Sequence, residues 1–158
     1  MTLEVITHDS WTAVSNSETV SETPVLPPSG GGFDDEEDSE SWMLEFFGDH
    51  RVQLKRCIFA ETPKLSNYLW TLNVGHFTVT VDEDFKFPIR LLTRRGQHYA
   101  ESVNLCIDIC KRTILFFEHI FGHAYPFTKL DLVLAPMVRY SAMESAACIV
   151  FSESLMAT

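Results

Sequence analysis

The first 50 residues contain no Lys and no Arg but 12 acidic residues, whereas residues 51 to 158 carry 12 basic and 10 acidic ones. The formal charge of −10 therefore comes from the first third of the chain. Phosphate binding needs clustered cations, and no basic run exceeds two residues, so nucleic acid is excluded as a partner. The four cysteines, Cys57, Cys106, Cys110 and Cys148, form no CxxC pair and no disulfide-type spacing, and read as free, mostly buried thiols. No apolar run approaches the roughly 18 residues of a membrane span, and Met1-Thr2-Leu3-Glu4 lacks the basic and apolar regions of a secretion signal. A soluble, cytoplasmic chain without a membrane segment is the expectation.

What is present is a globular composition, with 46% apolar and 12% aromatic residues over 158 positions. Leu3 to His8 and Trp11 to Val14 have strand-type residues, and Ser15-Asn16-Ser17 turns the chain. Residues 19 to 50, rich in Ser, Thr, Pro and Gly and then acidic at Asp34 to Asp38, bury too little apolar surface to offset their ordering entropy. A disordered insertion is expected there, its acidic run either solvated or a dock for a basic partner.

Strands are predicted at Leu54 to Phe59, Tyr68 to Val74, Phe77 to Val81 and Phe87 to Thr93, followed by a turn at Arg94-Arg95-Gly96. Residues 97 to 121 carry the one long helical period: Tyr99, Val103, Ile107, Cys110, Ile114 and Phe117, widened by Leu105, Ile109 and Phe121. This reads as a buried helix ended by Gly122, with Tyr125-Pro126 blocking its resumption. Lys129 to Ala135 and Ala147 to Phe151 read as two further strands, giving an α/β or α+β succession.

Several blocks resemble the zinc aminopeptidases of the aminopeptidase-N and puromycin-sensitive type. Ala13-Val14-Ser15-Asn16 is similar to an A-L-S-N turn of that family, and Glu61 to Leu69 to its T-P-x-M-S-T-Y-L strand. Phe116 to Gly122 with Tyr125 to Asp131 resembles its helix end and Y-P-x-x-K-x-D strand. Ser141-Ala142-Met143-Glu144-Ser145 falls where the family has G-A-M-E-N, and Ile149 to Phe151 with Glu153 where its next strand runs. The resemblance implies an α+β fold: residues 1–82 as the end of a β-saddle domain, with the insertion at about 19–50, and 83–158 as the first part of a thermolysin-like α/β catalytic domain.

The implied activity is zinc-assisted removal of N-terminal residues from peptides. An exopeptidase must recognise a free α-ammonium, and a carboxylate on an edge strand pairs with it while neighbouring backbone bonds the substrate main chain. The resemblance assigns that carboxylate to Glu144, with Ser141, Ala142 and Met143 as the other substrate-binding positions. Ser141 replaces a Gly whose missing Cβ lets substrate approach, Ser145 replaces an Asn, and Ala146-Ala147 replaces Trp-Gly; Ser141 is expected to crowd the site or strain its backbone.

The family's zinc is held by H-E-x-x-H plus a further Glu, and this sequence contains no H-E-x-x-H. His119 and His123, four apart, invite a metal reading, but Gly122 breaks the helix between them and no carboxylate base lies within the pair. The expectation is therefore an aminopeptidase segment without catalytic or metal residues of its own, with zinc bound only by the complete protein. The alternatives are a non-catalytic peptide-binding or assembly module and a truncated reading frame.

Overall fold

The computed structural model describes residues 2–25, 53–97, 99–136 and 138–156. Strands β1 (Leu3–His8) and β3 (Thr19–Val25) flank β4 (Leu54–Phe59), both antiparallel to it. Strand β2 (Thr12–Ser15) pairs antiparallel with β5 (Leu72–Gly75), Ala13 opposite Val74. The third sheet has the order β6-β7-β8-β10-β9, built from β6 (Phe77–Asp82), β7 (Ile89–Arg94), β8 (Leu130–Ala135), β9 (Ala142–Met143) and β10 (Cys148–Ser152). β7 and β8 run parallel, which requires a crossover, and helix α1 (Ala100–Phe121) supplies it. Among the described residues, three mixed or antiparallel sheets with one α-helix are an α+β arrangement.

β8 is central, and all but the last of its residues are buried, because a parallel strand covered on both faces has no wet side. Leu130 and Leu132 join Ile89, Leu91, Val103, Ile107 and Ile114 in a core against α1. Val133, Leu92 and Cys148 point the other way and pack on Val14 of β2. The third cluster, Ala13, Cys57 and Phe59, ties the N-terminal sheets together. Gly122 ends α1 in the left-handed region (φ 66°), its N–H donating to the Glu118 carbonyl at 3.0 Å, as the sequence predicts.

Three expectations change. Thr19–Val25, the start of the expected disordered insertion, is the edge strand β3, where alternating polar residues, Pro24 and a bulge near Thr19 are all tolerated. The rest of that insertion, 26–50, lies outside the described residues. The strand predicted at Tyr68 to Val74 begins only at Leu72, because Asn67–Leu69 is a 3-10 turn and the Asn16 side chain engages the Leu69 carbonyl and the Thr71 N–H. β6 hydrogen-bonds to β7, so the five-stranded sheet includes residues on both sides of position 82. α1 buries one stripe rather than its circumference: Leu105, Ile109, Phe116, Phe117, Ile120 and Phe121 are exposed.

Candidate functional site

The residues that carry the family resemblance meet where β2, the 67–71 turn, β8 and the loop between β9 and β10 come together. Lys129 immediately precedes β8 and Asp131 is its second residue; the two are two apart, and their side chains leave the same face of the sheet, toward β2. Lys129 is 2% exposed and Asp131 fully buried. The Lys129 ammonium donates to the carbonyls of Ser15 and Ala147 and, at 2.6 Å, to the Asp131 carboxylate. Arg90, opposite Asp131 in the register of β7 and β8, completes the cluster with a two-pronged contact of 2.5 and 2.7 Å. Burial alone lowers the Arg90 pKa, but its bonds to Asp131 and that carboxylate's charge reverse the effect, so the guanidinium's pKa is raised.

Asn16 is the second fastener. Its side-chain amide donates to the carbonyls of Leu69 (2.8 Å) and Ala146 (2.7 Å) and accepts from the Thr71 N–H (3.0 Å). The Ala146 N–H donates in turn to the Leu69 carbonyl at 3.2 Å, and the Asp131 N–H to the Ala147 carbonyl at 3.0 Å. Cys148, beside this cluster, is held neutral: burial is the main cause that pushes its thiol up to about 12.

The sequence-predicted residues lie on the outer side of this fastening. Ala142 and Met143 form β9, antiparallel to β10 with Met143 opposite Val150, and β9 is the edge strand of its sheet among the described residues. Both are half-buried, whereas Ser141 and Glu144 are exposed at the two ends of the strand. The Ser141 carbonyl accepts from the Ser152 N–H at 2.9 Å. The strain expected at Ser141 falls elsewhere: Ala147 is the one non-glycine with positive φ (57°) among the described residues. That position is where the family resemblance has glycine, and a Cβ there opposes the left-handed backbone.

His119 and His123 are both exposed at and beyond the end of α1. Among the described residues no three of His, Cys, Asp and Glu stand close enough to hold a metal ion. Beside these histidines, Glu118 accepts from the Tyr125 N–H and pairs with Lys86; the Lys86 bond first, then the N–H, lower its pKa. Among the described residues no helix is long and apolar enough to cross a membrane.

The sequence reading carried Asn16, Lys129 and Asp131 as positions of family-like blocks without giving them a role, and it did not single out Arg90. The signal was there for two of them: Lys129 and Asp131 interrupt an otherwise apolar strand, and a charge in a central parallel strand requires a buried partner.

Residues 105–158 match the Peptidase family M1 domain. Aminopeptidase 2 of Candida albicans is 33% identical over 98 residues, which is 61% of this chain and 10% of that protein. Leucyl aminopeptidase of Saccharolobus solfataricus is 33% identical over 98 residues, 62% of this chain and 12% of that protein. Tricorn protease-interacting factor F2 of Thermoplasma volcanium is 35% identical over 103 residues, 63% of this chain and 12% of that protein. The chain thus spans about a tenth of the length of the curated relatives it matches. Residues 105–158 are thus similar to the domain of peptidase family M1, a family of peptide hydrolases, and the chain is similar to aminopeptidases over about six-tenths of its length.

Proposed function

We propose that this chain is the amine-recognition segment of a zinc aminopeptidase, the residues 1–82 belonging to a β-saddle domain and 83–158 to the start of a thermolysin-like catalytic domain. Glu144 pairs with the α-ammonium of a peptide, and the free edge of β9, with Ser141, Ala142 and Met143, bonds the substrate backbone as an added strand. The observation that carries this reading is the position of Glu144: exposed, at the end of a two-residue edge strand, on a loop pinned from beneath by Lys129 and Asn16. Zinc, the general base and the groups that stabilise the transition state belong to the part of the relatives that this chain does not span. The substrates are peptides with a free N-terminus, met in the cytoplasm.

The test is made on a protein that extends this reading frame. Its transcript is expected to continue into H-E-x-x-H with a further Glu on the following helix. Replacing Glu144 by Ala in that protein raises KM and lowers kcat/KM for free-amine peptides. A transcript that stops without the motif, or an unchanged kcat/KM, contradicts the reading. One observation favours the rival, a non-catalytic peptide-binding relative: Ala147 holds a left-handed backbone in a loop that also carries Ser141 and Ser145 in place of Gly and Asn. A motif-bearing protein that binds free-amine peptides without hydrolysing them would select that rival.

A further inference from the structure

The loop that carries Glu144 is held from outside its own hairpin. β9 contributes only two pairs to β10, Met143 with Val150 and Ala142 with Phe151, so the ladder stops one residue before Glu144. From there to Cys148 one local bond, from the Cys148 N–H to the Ser145 carbonyl at 3.2 Å, is joined by contacts from distant parts of the chain. Ala146 is gripped at both ends, its carbonyl by Asn16 and its N–H by the Leu69 carbonyl. Asn16 spends all three of its side-chain hydrogen bonds on backbone groups of other segments: Leu69, Thr71 and Ala146. It is buried, so water does not replace those bonds, and each lost partner leaves an unsatisfied buried group.

The geometry points to Asn16 as a positioning residue for amine recognition: its side chain fixes Ala146, and through Ala146 the direction in which Glu144 presents its carboxylate. This rests on Glu144 being the amine's partner. An ion pair with a small ammonium group depends steeply on placement, so a loop released by about 1 Å keeps its carboxylate but loses its selectivity. Lys129 grips the next carbonyl, Ala147, yet it also neutralises Asp131, so its removal disturbs the fold as well as the loop. Asn16 is neutral and separates the two roles. The consequence is that specificity at Glu144 is set by a residue 128 positions earlier in the chain.

The experiment compares the whole 158-residue chain with its Asn16→Asp and Asn16→Ala variants. Asn16→Asp is isosteric and keeps the bond from the Thr71 N–H, but it turns the two donations into contacts with carbonyl oxygens. Two quantities are read by NMR: amide exchange at Ala146, and the ratio of affinities for trialanine and N-acetyl-trialanine. The unsubstituted chain is expected to prefer trialanine by about tenfold or more. In the variants that ratio is expected to fall about fivefold or more, while Ala146 exchange rises by about tenfold and exchange in β7 and β8 stays level.

An unchanged ratio in a variant whose loop has opened overturns the inference and leaves Asn16 a residue of the fold. Unchanged exchange at Ala146 overturns it as well, as does loss of the fold in both variants. If the unsubstituted chain itself fails to distinguish the two peptides, the amine reading fails before any substitution is made, and the inference with it.

Discussion

On one face of the five-stranded sheet, Arg90, Asp131, Val133 and Cys148 meet β2 and the Asn16 turn, and every charged group there has a partner in hand. On the other face, Leu91, Leu132 and Ile149 are covered by α1, but α1 then turns Leu105, Ile109, Phe116 and Ile120 outward. At its C-terminal half a groove of about 750 Å³ opens, lined by Ile114, Phe117, Phe121, Tyr125, Ile149 and Phe151. Among the described residues the first face is finished by polar chemistry, and the second is only one layer deep. The two faces should respond to damage in opposite ways.

The largest effect belongs to the finished face. Replacing Lys129 by Met leaves the Ser15 and Ala147 carbonyls and one side of Asp131 without their donor, which costs about 3–5 kcal/mol in denaturant unfolding. On the other face, replacing Phe121 by Ser changes stability by no more than about 0.5 kcal/mol, since that ring already faces solvent. Equal losses at the two positions would erase the contrast.

Alkaline pH gives the next effect. All four thiols are raised by burial from an ordinary value of 9.0, Cys148 to about 12. A raised thiol favours the neutral form in the folded state, so its contribution is complete below about 9 and disappears as pH climbs toward about 12. By one unit above the unfolded thiol's value the loss is about 1.4 kcal/mol for Cys148. Replacing Cys148 by Ala should flatten the decline seen in unfolding curves between pH 9 and 11 more than replacing Cys106 does. The reverse order would shift the alkaline sensitivity to the helix side.

Much of this arrangement was legible in the sequence, for reasons that divide along the same line. The 3.6-residue period of Val103, Ile107, Cys110 and Ile114 and the stop at Gly122 are local signals, and the helix they predict forms. Alternation located β1, β4, β6 and β7 for the same reason. How deeply an element is buried is not local: Leu105 and Ile109 have the same chemistry as Ile107, and only the neighbours decide which is covered. β3 was hidden because an edge strand needs little apolar surface, so Thr19 to Val25 has the composition of a loop. Ser141 to Glu144 stood out through a family motif; Asn16 and Lys129 lay in family-like blocks too, but the bonds by which they hold the loop act across 130 and 18 positions of sequence, which no local pattern reveals.

Two smaller effects sharpen the contrast. Replacing Ala147 by Gly relieves the left-handed backbone at φ 57°, and even after the greater freedom of unfolded Gly the gain is about 0.5–1 kcal/mol. A loss of stability there would mean that the buried methyl matters more than the strain. On the helix side, replacing Phe116 and Ile120 by Ser together should leave the unfolding midpoint nearly unchanged but reduce self-association in light scattering, since both belong to an exposed apolar face. Association that persists would put the adhesive surface elsewhere.

The central claim, that the edge strand β9 and Glu144 receive a peptide's amine, is tested most directly by adding trialanine to the isotopically labelled chain and mapping which amides move. Shifts confined to residues 141–146 and abolished by replacing Glu144 with Gln are the expected result. Shifts that survive that substitution, or that gather around Phe117, Phe121 and Tyr125 instead, would contradict it.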